Sequence, residues 1–97
     1  MNKGYWIIAW KSITDAAAVE RYIAPGTDAI LAHGGRILAA GVPARAYEEG
    51  LSSRLVLVEF DSLELAVASY ESADYQASLT HLVGAAERDV RIVEGVG

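Results

Sequence analysis

The chain has 97 residues, 53% of them hydrophobic, which suits one domain with a single modest core and argues against disorder. Its formal net charge is −5, and its 8 scattered Lys and Arg leave no basic face for a nucleic-acid backbone. There is no cysteine for disulfide or thiolate chemistry, and the first apolar run, Tyr5–Trp10, is too short for a signal-peptide core or a membrane span; the expectation is a soluble protein of the cytoplasm.

Lys3–Ser12 (KGYWIIAWKS) is rich in β-branched and aromatic residues and reads as a strand. Its two faces, Tyr5, Ile7, Ala9 and Trp6, Ile8, Trp10, are both apolar. A half-exposed strand alternates apolar with polar, so this one is expected to be covered on both sides. Thr14 and Asp15 offer side-chain oxygens to the free N–H groups of a helix start. Val19, Tyr22, Ile23 and Ile30 keep a helical period down to His33, with a kink or break expected near Ala24 because Pro25 cannot donate to the Arg21 carbonyl. Gly34–Gly35 ends that helix.

Arg36–Gly41 is the second strand, which Pro43 stops or places at a sheet edge, and Ala44–Ser53 is a polar connection. Arg54–Phe60 is the third strand, with Leu55, Leu57 and Glu59 on one face and Val56, Val58 and Phe60 on the other. Asp61-Ser62-Leu63-Glu64 has the form of a capping box that opens a helix at Asp61, with Leu63, Ala66, Val67 and Tyr70 as its apolar stripe. Ser72 restarts a helix with the stripe Tyr75, Leu79, Leu82, Val83 and Ala86, and Asp89–Glu94 is the last strand.

The order β-α-β-β-α-β, with right-handed crossovers, places both helical layers on one face of a four-stranded antiparallel sheet. The expectation is an α+β, ferredoxin-like fold over residues 1–97. The other sheet face would still carry apolar side chains from the first and third strands, at roughly 25 cal/mol per Å2 of apolar surface left in water. No segment is left over to cover it, so a two-fold homodimer, sheet against sheet, is the simplest solution.

Lys3-Gly4-Tyr5-Trp6-Ile7, the Gly34-Gly35-Arg36 turn, Glu59-Phe60 followed by Asp61-Ser62-Leu63-Glu64-Leu65-Ala66, Tyr70-x-Ser72-x-x-Tyr75-Gln76 and Val93-Glu94-Gly95-Val96 together resemble the domain-of-unknown-function 1330 family over almost the whole chain. The resemblance implies the dimeric α/β-barrel superfamily, in which two ferredoxin-like protomers join their sheets. Relatives of that type include cofactor-free monooxygenases, muconolactone isomerase-like and chlorite dismutase-like proteins, and many members without a known activity. The chain departs from the family pattern at Ala40, where arginine is usual, at Val42, where a glycine is usual, and at His33, where an aromatic residue is common. If the missing arginine anchors an anionic ligand in relatives, that anchor is gone here.

Glu59 is the first candidate for chemistry. If its face lines a barrel interior, desolvation would raise its pKa and suit it to act as a base; alternatively it pairs with an arginine such as Arg36 or Arg54. Tyr75 would donate a hydrogen bond at the barrel mouth or pack at a helix start, and Ser72 would cap that helix or join a site. His33 would move a proton or simply sit at a helix C-terminus, where the dipole favours its charged form. Tyr5, Arg36, Leu57 and Ser72 complete the candidate set as ligand contacts. Tyr5, Trp6 and Trp10 would floor an aromatic pocket or fill the core and the dimer contact. Two separated histidines and no cysteine support neither a metal nor a haem site, and no nucleotide, phosphate or hydrolase motif is present, so no cofactor is expected. Three functions stay open: a cofactor-free enzyme acting on a small hydrophobic or aromatic metabolite, a binder of such a molecule, or an interaction module with a filled barrel.

Overall fold

The computed structural model describes residues 2–97. Its elements are β1 (Gly4–Ile13), α1 (Ala16–Ala32), β2 (Arg36–Gly41), β3 (Leu55–Phe60), α2 (Leu63–Tyr70), α3 (Ala73–Leu79), a 3-10 turn (Thr80–Leu82) and β4 (Ala86–Glu94). The strands form one antiparallel sheet in the order β2-β3-β1-β4. The expected α+β, ferredoxin-like order is therefore present. The sheet is open, with β2 and β4 as its edges; it does not close into a barrel.

Both helical layers cover the same face. Trp6, Ile8 and Trp10 from β1 and Val58 and Phe60 from β3 are buried there against Tyr22, Ile30, Ala66 and Tyr75. Trp6 is the centre of this core. Its indole N–H donates to the Ala66 carbonyl at 2.8 Å, and its rings pack on Phe60, Tyr70 and Tyr75 at centroid distances of 5.1, 5.6 and 4.9 Å. The polar end of the indole is thus satisfied while its apolar area leaves water.

Local structure departs from the sequence expectations in four places. α1 is capped by Asp15, whose carboxylate accepts from Ala18 N–H, and it runs unbroken through Pro25. Arg21 and Pro25 are both exposed, so water can take the carbonyl that proline leaves without a donor. α2 is capped by Ser62, not Asp61; Ser62 Oγ accepts from Leu65 N–H at 3.1 Å, and Asp61 pairs with Arg36 and Lys3 instead. The buried side of α2 is Ala66 and Ser69, and Val67 is exposed. The last helical stretch stops at Leu82: Gly84 takes a positive φ of 72°, Val83 points to solvent, and β4 begins at Ala86, three residues before the expected Asp89.

The C-terminus of α1 follows expectation. Gly34 has φ 82°, and Gly35 N–H reaches back to the Ile30 carbonyl at 2.9 Å, closing the helix with a left-handed glycine. Among the described residues, no helix is long and apolar enough to cross a membrane.

Candidate functional site

The residues singled out from the sequence fall into three separate places. The first lies on the sheet face that no helix covers. Tyr5, Glu59 and Arg36 are cross-strand neighbours there, because Tyr5 pairs with Glu59 and Glu59 with Arg36 in the ladder. The Tyr5 hydroxyl donates to Glu59 Oε2 at 3.0 Å, and Arg36 Nε donates to Glu59 Oε1 at 3.0 Å. Arg36 also reaches Asp61, which Lys3 approaches from the other side. The Arg36 guanidinium, then the Tyr5 hydroxyl, hold the Glu59 carboxyl below its usual range. The raised pKa expected for a base is therefore reversed: a cation 3.0 Å away outweighs desolvation. The arginine partner is Arg36 and not Arg54, because strand alternation turns Arg54 to the opposite face.

Leu57 lies on this same open face, with Ile7, Leu55 and Val93 around it. The latter three are 43%, 41% and 47% exposed, so the chain leaves an apolar band in water.

The second place joins the end of α1 to the start of α3. His33 Nε2 lies 2.9 Å from Asp74 Oδ1, while Ser72 caps α3 by accepting from Tyr75 N–H. His33, with help from Ser72, lowers the Asp74 carboxyl to about 2. Among the described residues, neither His33 nor Ser72 has a hydrogen bond to Glu59 or Tyr5.

The third place lies under α1, on the helix side of the sheet. Tyr75 is fully buried, and its hydroxyl sits 2.7 Å from that of Tyr22. Burial, then Tyr22, pushes the Tyr75 phenol well above its ordinary 10.0, with Arg88 opposing. The expected placement of Tyr75 at a barrel mouth does not hold, since the hydroxyl faces the core on the far side of the sheet from Glu59. Arg88 donates to both tyrosines, at 3.3 and 3.4 Å, and its guanidinium lies 5.0 Å from the Trp10 ring centroid and 5.2 Å from that of Tyr22.

Beside this cluster is a cavity of about 90 Å3. Its apolar walls include Ile8, Trp10, Val56 and Ile30, and Tyr22, Thr27, Arg54 and Arg88 supply polar groups. Ala40 also lines it. The ladder explains the convergence. Trp10 pairs with Arg88 across β1 and β4, and the Trp10 backbone N–H donates to the Arg54 carbonyl, so the tryptophan has an arginine on each side. Sequence reasoning missed Arg88 by starting the last strand at Asp89, three residues after its start at Ala86. Continued back by one, the alternation of Arg88, Val90 and Ile92 puts a cation on the apolar, inward period. Among the described residues, no group of three His, Asp or Glu could hold a metal ion.

Solved structures share this fold at low sequence identity. A protein of unknown function from Rhodopseudomonas palustris superposes with a TM-score of 0.73 at 12% identity, covering 99% of this chain and 84% of its own. A dimeric ferredoxin-like protein of unknown function from Thermobifida fusca gives 0.61 at 14% identity, over 97% and 92%. SnoaB, a cofactor-independent oxygenase from Streptomyces nogalater, gives 0.62 at 8% identity, over 100% and 96%. A comparison with curated proteins finds no match. The family model for Domain of unknown function (DUF1330) matches residues 3–96, and the chain belongs to that family.

Proposed function

We propose that the chain is a single-domain, homodimeric small-molecule-binding protein, and that each protomer holds its ligand in the cavity between α1 and the sheet. The observation that carries this reading is the cavity of about 90 Å3, in which an apolar floor meets Tyr22, Arg54 and Arg88. Concave, mostly apolar sites with a few converging polar groups are the usual form of a ligand pocket. In this reading Glu59 and His33 have structural roles: Glu59 is held by Arg36 and Tyr5, and His33 ties α1 to α3.

The homodimer is supported by the uncovered band of Ile7, Leu55 and Val93, and by the dimeric state of the Thermobifida neighbour. Joining two such faces removes both bands from water at once. The two ligand cavities then lie outside the sheet-to-sheet contact, under the helices.

The test uses the two indole N–H resonances in a 1H–15N spectrum. Trp6 is bonded to Ala66 within the core, and Trp10 lines the cavity. A set of small aliphatic and aromatic molecules, charged and neutral, is titrated in turn. A saturable shift of the Trp10 resonance with Trp6 unmoved is the expected result. If no member of the set moves Trp10, the cavity is not a binding site.

A further inference from the structure

We infer that the ligand of this cavity is a small carboxylate, held by Arg88 and Arg54 with its apolar body on the Trp10 side. The inference rests on the cavity being a binding site and adds the chemical class of what it takes.

The argument is a count of donors against acceptors. Arg88 has five N–H donors and no acceptor. Among the described residues, its hydrogen bonds go only to two neutral hydroxyls, at 3.3 and 3.4 Å. No carboxylate of the described residues lies within 4.0 Å of Arg88 or Arg54; the acids near other cations are taken by Lys3, His33, Arg36 and Arg91. Arg88 is half-buried among aromatic rings without a counter-ion, whereas charges withdrawn from water are normally paired.

The tyrosines add to the surplus. Tyr22 and Tyr75 share one hydrogen bond, so one hydroxyl proton of the two is used between them. Arg88 only donates, so it cannot take the other. Among the described residues no further acceptor meets either hydroxyl. If Tyr75 donates to Tyr22, the free proton sits on Tyr22, the one of the pair that lines the cavity. The third surplus donor is the Trp10 indole N–H, which is buried and has no hydrogen-bond partner. Trp10, Tyr22, Arg88 and Arg54 all line the one space, which therefore holds a half-buried cation without a counter-ion and a second cation beside it.

A ligand that answers this set must supply acceptors and negative charge at one end. A planar carboxylate does so, and it suits the guanidinium fork in particular. The other end must be apolar to meet Ile8, Ile30 and Val56. Size limits that body: the space is about 90 Å3, against about 150 Å3 for a cavity that encloses benzene, which corresponds to roughly three or four non-hydrogen atoms. Ile23, Ile37 and Arg54 also line the space and are exposed, so a longer ligand has a way out between α1 and β2.

The experiment compares butyrate, butyramide and butylamine as probes of equal length, followed through the Trp10 indole resonance with Trp6 as internal control. Butyrate is expected to bind at least tenfold more tightly than butyramide, and butylamine not at all. Arg54→Gln, at an exposed position, should weaken butyrate about threefold and leave butyramide unchanged. Arg88→Gln should abolish the preference for butyrate. If butyramide binds as tightly as butyrate, the carboxylate inference fails and the cavity remains a binding site. If none of the three moves Trp10 while other members of the wider set do, the carboxylate inference again fails alone. If nothing in the wider set moves it, the binding reading itself falls. Should Arg88→Gln not fold, Arg54→Gln and the comparison of acid with amide on the wild-type protein still decide the matter.

Discussion

The hydroxyls of Tyr22 and Tyr75 meet at 2.7 Å, which ties the middle of α1 to the first turn of α3 directly over Arg88 of β4. Through that contact both crossover connections are joined at one polar point inside an otherwise apolar layer. A polar pair in such a place is stable only while each oxygen keeps a partner.

Tyr75→Phe removes one oxygen and leaves Tyr22 and Arg88 each short of a bond. The expected cost is about 1–2 kcal/mol, measured by urea unfolding. The same phenol gives an alkaline signature. Its folded pKa lies above the unfolded 10.0, so its contribution is fully present below pH 10 and is lost as the pH rises beyond that. Unfolding free energy should therefore fall more steeply above pH 10 in the wild type than in Tyr75→Phe. Equal slopes would mean that Tyr75 ionises in the folded protein.

Asp74 gives the opposite signature in acid. Its carboxyl is lowered from 3.8 to about 2 by His33 and Ser72, so its contribution is present above about pH 4 and lost as the pH falls towards 2. Thermal melts of wild type and Asp74→Asn should converge across that window and differ above it. Both groups are exposed, so a small difference is expected. Curves that stay parallel from pH 5 to pH 2 would show that the His33 contact is absent in solution.

Ile7→Glu tests the uncovered face. Ile7 lies on β1, a central strand, in the apolar band and away from the cavity under α1. Light scattering should report twice 10.3 kDa for the wild type and 10.3 kDa for the variant, with the fold intact by circular dichroism. A dimer that survives this charge must use another surface.

Gly4→Ala tests the fit of β1 under α2. A Cβ at Gly4 would lie 2.6 Å from the Ser62 carbonyl oxygen and 2.7 Å from Leu63 Cα, both backbone atoms that cannot turn away. Overpacking of this kind costs about 1–3 kcal/mol, and the midpoint of urea unfolding should drop accordingly. No change in the midpoint would mean that α2 sits further from the sheet than its Ser62 cap places it.

The sheet was legible from period and punctuation. β2 spans Arg36–Gly41 as expected, because Gly35 and Pro43 bracket it, and β1 and β3 shift by only one residue at their ends. The helix starts were less so. Asp61 and Ser62 are both good caps, and the choice between them was made by Arg36, a residue distant in sequence that claims the Asp61 carboxylate. Pro25 misled in the other direction, since its cost depends on whether the stranded carbonyl meets protein or water.

The site was legible only in pieces. Glu59 stood out as a carboxylate on an apolar strand, but its partner Arg36 lies on a neighbouring strand, and only the ladder register brings the two together. The cluster around the cavity went unseen for the same reason. Tyr22, Arg54, Trp10 and Arg88 come from α1, the approach to β3, β1 and β4, and no spacing along the chain relates them. What the sequence by itself determined was the alternation and capping that produce a ferredoxin-like sheet with one covered face, because those depend on neighbours a few residues apart. Which charges are paired, and which donors are left facing a cavity, was decided by tertiary structure alone, because pairing depends on distances of a few ångströms between residues far apart in the chain.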